Sequence, residues 1–381
     1  MEKKKERLSG IELLKIIAIV LIVISHVTQT LETGNQIISN NVTNYTINLK
    51  DPTSSINNIV LAFIRQFGAL GNMIFLISSI WFLIDKNKNY KKKILSIIID
   101  IFIISVASLL LFMIFYKGDI SIKYIIKSIF PTIFANNWYM TCYIMLLLLY
   151  PFLNIIVKSI DKKQLFRINL LSIIVYFGIC FVKTNLLFNT SLVVFVVIYF
   201  LVAYIRKYCI NFVKDKKANI ILLILSVVIS IASLIVLNYI ELKSGIKVIE
   251  LIKFATNNNI LLLITGFSLF NLFLNINISN KVINYISSLS MLIYVIHENI
   301  LVRVYLRPQI WSDILNKYGE KYIIIEDLLF SIMILFASLI IAIIYKNTIQ
   351  KIVIKIIDYL YNKSMIKKCY LKIEEKILNK K

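Results

Sequence analysis

This sequence predicts an all-α, polytopic integral membrane protein of about ten transmembrane helices around a central intramembrane cavity. Three observations carry that expectation. First, 59% of its 381 residues are hydrophobic and only 17% charged, with a mean hydropathy of +0.81. No soluble domain of this length holds that balance. Second, apolar runs of about 17–25 residues, long enough to cross a hydrocarbon core, recur along the whole chain. Third, the basic residues between those runs fall unequally on the two sides, as orientation in a membrane requires.

The runs place spans at 10–30, 59–84, 94–116, 138–157, 168–186, 190–205, 219–240, 259–276, 286–306 and 325–345. The gap at 187–189 is tight, so the fifth and sixth spans read as a hairpin. The long second run has room for a tilted or interfacial turn before it crosses. With the amino terminus inside, 29 of the 43 Lys and Arg lie on inner segments and 10 on outer ones. The remaining four, Lys15, Arg65, Lys183 and Arg303, lie within spans. That excess predicts cytoplasmic amino and carboxyl termini. Residues 1–345 then form one transmembrane domain, and 346–381 a basic amphipathic tail on the inner leaflet.

The net charge of +23 does not point to nucleic acid, because the lysines cluster in short segments between spans and suit anionic lipid instead. Four scattered cysteines, Cys142, Cys180, Cys209 and Cys369, lack metal-like spacing, so no metal site and no disulfide framework is expected. The first span carries Lys15 and His26 and lacks a small-residue cleavage site, unlike a signal peptide. Abundant Ile, Lys and Asn point to an AT-rich bacterial genome and thus to a bacterial plasma membrane.

Polar groups inside spans are expensive and mark candidate sites. In span one, Lys15 and His26 are eleven residues apart, about three full turns, so they share a face roughly 16 Å apart along the axis. Glu12, three residues before Lys15, lies on the same stripe and offers it an ion pair. In span two Arg65, Asn72 and Ser79 form a second stripe, with Gly68 and Gly71 beside it to permit close helix approach. Span four opens on Trp138 and Tyr139, with Tyr143 and Tyr150 on the face of Tyr139. In span nine Tyr294 and His297 are surface neighbours and Glu298 follows directly. His297 has no cation on its own face, since a straight helix puts Arg303 about 240° away. It therefore reads as shaping the cavity rather than driving chemistry. Asp100 is a further buried carboxylate, with the lysines at 91–93 as its expected partners.

Several of these runs resemble acyltransferase family 3, the integral membrane O-acyltransferases. RLSGIELLKIIAIVLIVISH is similar to the family's first helix, an arginine, ten residues and a histidine, with Lys15 in the arginine place and His26 in the histidine place. NMIFLISSIWFLID resembles its Phe-rich second helix ending in Ser-Gly, with Ser78 on the serine and Ser79 where glycine is usual. Lys91, Lys92 and Lys93 stand where arginines are common. WYMTCYIMLLLLYPFLN resembles the Trp-Tyr segment leading into a proline-ended helix. MLIYVIHENIL resembles the late Tyr-Leu-Ile-His-Pro pattern, with Glu298 at the proline.

The resemblance implies an O-acyltransferase that moves an acyl group, acetyl in the first instance, from cytoplasmic acetyl-CoA to a hydroxyl of a surface or exported glycan. The acyl-CoA would be a donor substrate, with no bound cofactor. On that reading His26 is the base or nucleophile, and Lys15 holds Glu12 or a donor phosphate. Arg65 or Tyr139 would steady the oxyanion. Asn72, Ser78, Trp138, Tyr143, Tyr294 and His297 would line the substrate cavity. A competing reading is an export component for polysaccharide or lipid-linked sugar, in which the same buried charges line a conduit.

Overall fold

The computed structural model describes residues 8–49, 55–86, 90–116, 118–182, 191–245 and 250–362. Among them it contains helices and no strand. The order begins α1 (Ser9–Thr33), α2 (Asn35–Asn41), α3 (Ile56–Ile64), α4 (Phe67–Leu83), α5 (Lys91–Phe115) and α6 (Ile122–Ile129). It continues with α7 (Trp138–Ser159), α8 (Lys162–Ser172), α9 (Cys180–Val182), α10 (Ser191–Tyr208), α11 (Ile210–Lys214) and α12 (Lys216–Ser244). The last third holds α13 (Ile260–Leu274), α14 (Lys281–Ser287), α15 (Ser290–His297), α16 (Arg307–Tyr318), α17 (Ile323–Asn347) and α18 (Ile349–Asn362).

Nine of these stretches are long and apolar enough to cross a membrane, and a tenth candidate is a bent pair. The chain is thus all-α and polytopic. The expected hairpin gap at 187–189 lies outside the described residues. Their helices begin where the local chemistry says they should. Ser55, Asp161, Asp215 and Asn280 each accept a hydrogen bond from a backbone N–H in the first turn of the helix that follows. The outward surfaces of α5, α12 and α17 expose Leu111, Ile114, Ile224, Val228, Leu329 and Ile340. A surface so apolar is suited to lipid and not to water.

Inside the bundle, α1 packs most extensively on α4. Gly68 and Gly71 explain the closeness. A Cβ on Gly68 would meet Ser25 Oγ at 2.6 Å, and one on Gly71 would meet Ile22 Cγ1 at 2.5 Å. Polar side chains bind other helices together where hydrocarbon offers no other partner. Tyr199 donates to Asn154 at 2.7 Å, Ser230 to Gln66 at 2.8 Å, and Asn271 to Asn219 at 2.9 Å.

The second run crosses as one stretch, Ile56–Leu83, with a short break at Arg65 and Gln66 between α3 and α4, a turn the long run had room for. Two sequence expectations change. Asp100 meets no lysine of the 91–93 run. It accepts from Tyr345 at 2.9 Å and Gln350 at 2.8 Å, while Lys92 pairs with Asp358 and Lys93 with Tyr143. Those bonds join α5 to α17 and α18, and Val353 and Ile357 of α18 are buried. Residues 363–381 of the expected tail lie outside the described residues. Most consequentially, the ninth span is not one straight helix. Lys281–His297 and Val302–Tyr318 are bent by 63° about Glu298–Leu301. A buried carboxylate, Glu298, lies at the bend.

Candidate active site

The site is built around His26, seventeen residues into α1. Its Nδ1 lies 3.0 Å from Glu298 Oε2 and 3.1 Å from His297 Nε2. His297 Nδ1 stands 2.7 Å from the Ile293 carbonyl, which can only accept, so that nitrogen carries a proton. In a neutral ring its Nε2 is then an acceptor. Both neighbours of His26 Nδ1 therefore accept, and His26 Nδ1–H donates between them. The lone pair is left on His26 Nε2. A carboxylate and a second imidazole thus hold one histidine in the tautomer of a base.

Glu298 is itself held from the other side. Arg303 Nη1 lies 2.8 Å from its Oε1, and Arg307 Nη2 lies 3.0 Å from its Oε2. Arg307 is 1% exposed and also donates from Nη1 to the His26 carbonyl at 2.9 Å. Trp311 Nε1 donates to the Val27 carbonyl at 3.2 Å, and Thr30 to that of His26 at 3.0 Å. On a straight helix Glu298 and Arg307, nine residues apart, would face about 180° away from each other. The bend brings them together. A carboxylate and a guanidinium this deeply buried require each other.

Two cavities flank this cluster in place of the single central one expected. The first, proximal to the amino-terminal end of α1, has a volume of about 560 Å³. Lys15, Lys86 and Lys93 line it with Glu12 as the one carboxylate, beside Ser78, Ser79 and Tyr143. Lys15 Nζ lies 3.2 Å from Glu12 Oε1, the ion pair read from spacing, and Ser287 donates to Glu12 Oε2 at 2.5 Å. The Ser78 and Ser290 hydroxyls are buried without a partner. The second cavity, distal along α1, has about 340 Å³ and is lined by His26, Arg65, Asn72, Trp138 and Asn257 among others.

An aromatic layer divides them. Tyr139 and Tyr294 line the proximal cavity, with ring centroids 6.1 Å apart. The Tyr294 ring is 6.1 Å from that of His26, and Tyr139 packs on Phe195 at 5.3 Å. The Tyr139 hydroxyl has no hydrogen-bond partner.

The residues singled out from sequence therefore fall into four groups. Glu12, Lys15, Ser78 and Tyr143 sit in the proximal cavity, and His26, Arg65, Asn72 and Trp138 in the distal one. Tyr139 and Tyr294 lie between. His297 lines neither cavity but backs His26 directly, closer to the base than its expected role in shaping a cavity. Glu12 and Lys15 are not assembled with His26, because eleven residues of one rigid helix keep them apart. Glu298, Arg303 and Arg307 were missed as a unit. The available signal was a carboxylate adjacent to a histidine within an apolar run.

His26, His297 and Glu298 place potential ligand atoms within 4.8 Å of one another. Two guanidiniums already occupy the carboxylate, so a divalent cation there would be set against two fixed positive charges. The donor set fits an oriented base better than a metal centre.

Residues 8–346 match the profile of acyltransferase family 3, described as an acyltransferase domain. The chain belongs to that family. No curated protein and no solved structure matches it. Within an acyltransferase family 3 protein, a histidine held in this tautomer on the wall of a polar chamber is a chemically apt proton acceptor.

Proposed function

We propose that this protein is a membrane O-acyltransferase that takes an acyl group, acetyl in the simplest case, from acyl-CoA in the proximal cavity. It passes the group to a glycan hydroxyl in the distal one. The observation that carries this reading is His26, oriented by Glu298 and His297 at the wall of the distal cavity. The lysine charge excess supports a cytoplasmic side for the proximal cavity, where acyl-CoA is found, and the outer face of a bacterial plasma membrane for the distal one.

Lys15, Lys86 and Lys93 suit the phosphates of a CoA donor, since ammonium groups bind phosphate as point charges. For the thioester to reach His26, the Tyr139–Tyr294 layer parts. His26 Nε2 then removes the acceptor hydroxyl proton as that oxygen attacks the thioester carbonyl. The tetrahedral oxyanion is met by the Tyr139 hydroxyl, which has no other partner. Collapse expels the CoA thiolate, which takes the proton back from His26.

Acyl transfer from labelled acetyl-CoA to surface glycan tests this in purified, lipid-reconstituted protein. His26→Ala should reduce transfer to background, and undiminished transfer would sink the role. A conduit for polysaccharide or lipid-linked sugar is the second reading, favoured by two polar chambers that follow one another along α1. It requires His26→Ala to impair polymer export, whereas the enzyme reading leaves export intact.

A further inference from the structure

The distal cavity contains an anion-seeking group that the acyl-transfer chemistry does not use. Arg65 sits at the break between α3 and α4, where its own carbonyl accepts from Ser25 Oγ at 2.7 Å. Its guanidinium is poorly satisfied. Nη1 reaches Ser25 Oγ only at 3.5 Å, and Nε stands 3.9 Å from Glu32 Oε2, beyond hydrogen-bond range. Both Nε and that Glu32 oxygen are buried without a hydrogen-bond partner.

The other arginines inside the bundle are treated differently. Arg303 and Arg307 bond Glu298 at 2.8 and 3.0 Å, and Arg206 bonds the carbonyls of Trp81 and Ile84. A guanidinium offers five donors, and leaving the buried Nε without a partner is costly unless a ligand completes the site. No carboxylate lines the distal cavity; its polar walls include Gln29, Asn72, Thr256 and Asn257, with the Trp138 indole beside them. Amides, hydroxyls and one indole suit a sugar ring. A two-pronged cation beside them suits a carboxylate or phosphate.

We propose that the acceptor is an anionic saccharide, whose carboxylate or phosphate is bound by Arg65 while the hydroxyl to be acylated faces His26. This rests on the distal cavity being the acceptor chamber. Glu32 sets the strength of the site. It lies close enough to compete for Arg65 electrostatically but too far to satisfy it.

The test uses the full-length protein in lipid nanodiscs and three matched oligosaccharides: a neutral parent, a uronic-acid derivative and a phosphate derivative. Calorimetry gives binding, and labelled acetyl-CoA gives transfer. Wild type should bind one anionic form at least tenfold more tightly than the neutral parent, with the better of the two identifying the anion. Arg65→Gln should bring that ratio close to one, Arg65→Lys should keep part of it, and Glu32→Gln should raise it several-fold. Equal binding of neutral and anionic forms by wild type overturns the inference, as does a preference that survives in Arg65→Gln. If Arg65→Gln does not fold, wild type and Glu32→Gln decide. Anionic preference in binding with no acylation of any sugar supports this inference and counts against acyl transfer. Equal acylation of all three does the reverse.

Discussion

At residue 298 a carboxylate answers the charge of two guanidiniums, one of them almost wholly buried, and orients the histidine opposite. Removing it has two separable consequences. Glu298→Gln keeps the volume but leaves Arg303 and Arg307 uncompensated, so it should cost about 3–5 kcal/mol of stability. It also takes the negative charge from beside His26 and leaves His297 as its one strong acceptor, so turnover per folded molecule should drop about 10²-fold. Thermal unfolding in detergent and single-turnover acyl transfer measure the two effects. A stable variant with full turnover would show that Glu298 serves neither. In the proximal cavity, Lys15→Met should raise KM for acyl-CoA about tenfold, the scale of one charge-assisted hydrogen bond. Lys15→Arg should keep or lower it, since the guanidinium grips phosphate with two prongs.

Among the elements, α1 is the spine, and its contact with α4 depends on two missing side chains. A Cβ on Gly71 would come within 2.7 Å of the Ala18 carbonyl, which belongs to a helix backbone and cannot swing away. Gly71→Ala should therefore push the helices apart at a cost of about 1–3 kcal/mol, read as a lowered unfolding temperature. This contact was legible, because small residues at one helix face signal close packing. The stripe of Glu12, Lys15 and His26 was legible for a similar reason: helical periodicity is a local rule and α1 obeys it. The bend after His297 was not. His297, Glu298 and Asn299 interrupt the apolar run 286–306, but a polar interruption alone does not distinguish a bent span from a straight one. Arg303 was read as lying off the face of His297 because that geometry assumed an unbroken helix.

For the whole molecule, the decisive feature is that two chambers lie on either side of Tyr139 and Tyr294, with His26 on the wall of the distal one. Their separation predicts sided access. In a variant whose native cysteines are replaced, Ser79→Cys should react with an impermeant thiol reagent from one face of the membrane only. Asn257→Cys should react from the other face only. Labelling of both from the same face would rule out the two-chamber arrangement. The apolar exterior of α5, α12 and α17 and the polar interior meet the same requirement at this scale, that charge in hydrocarbon be buried and paired.

Composition and the lengths of apolar runs were enough to specify a helical membrane protein, because the bilayer leaves so few alternatives. Spacing within α1 and the family resemblance were enough to single out His26. What only the tertiary structure decided is how that histidine is held and what it faces. His297 lies 271 positions away in the chain, and Glu298 beside it reaches His26 only through a broken helix. Such contacts leave no periodic trace in sequence, since they depend on how separate helices pack and on the energy of satisfying charges that the packing has buried.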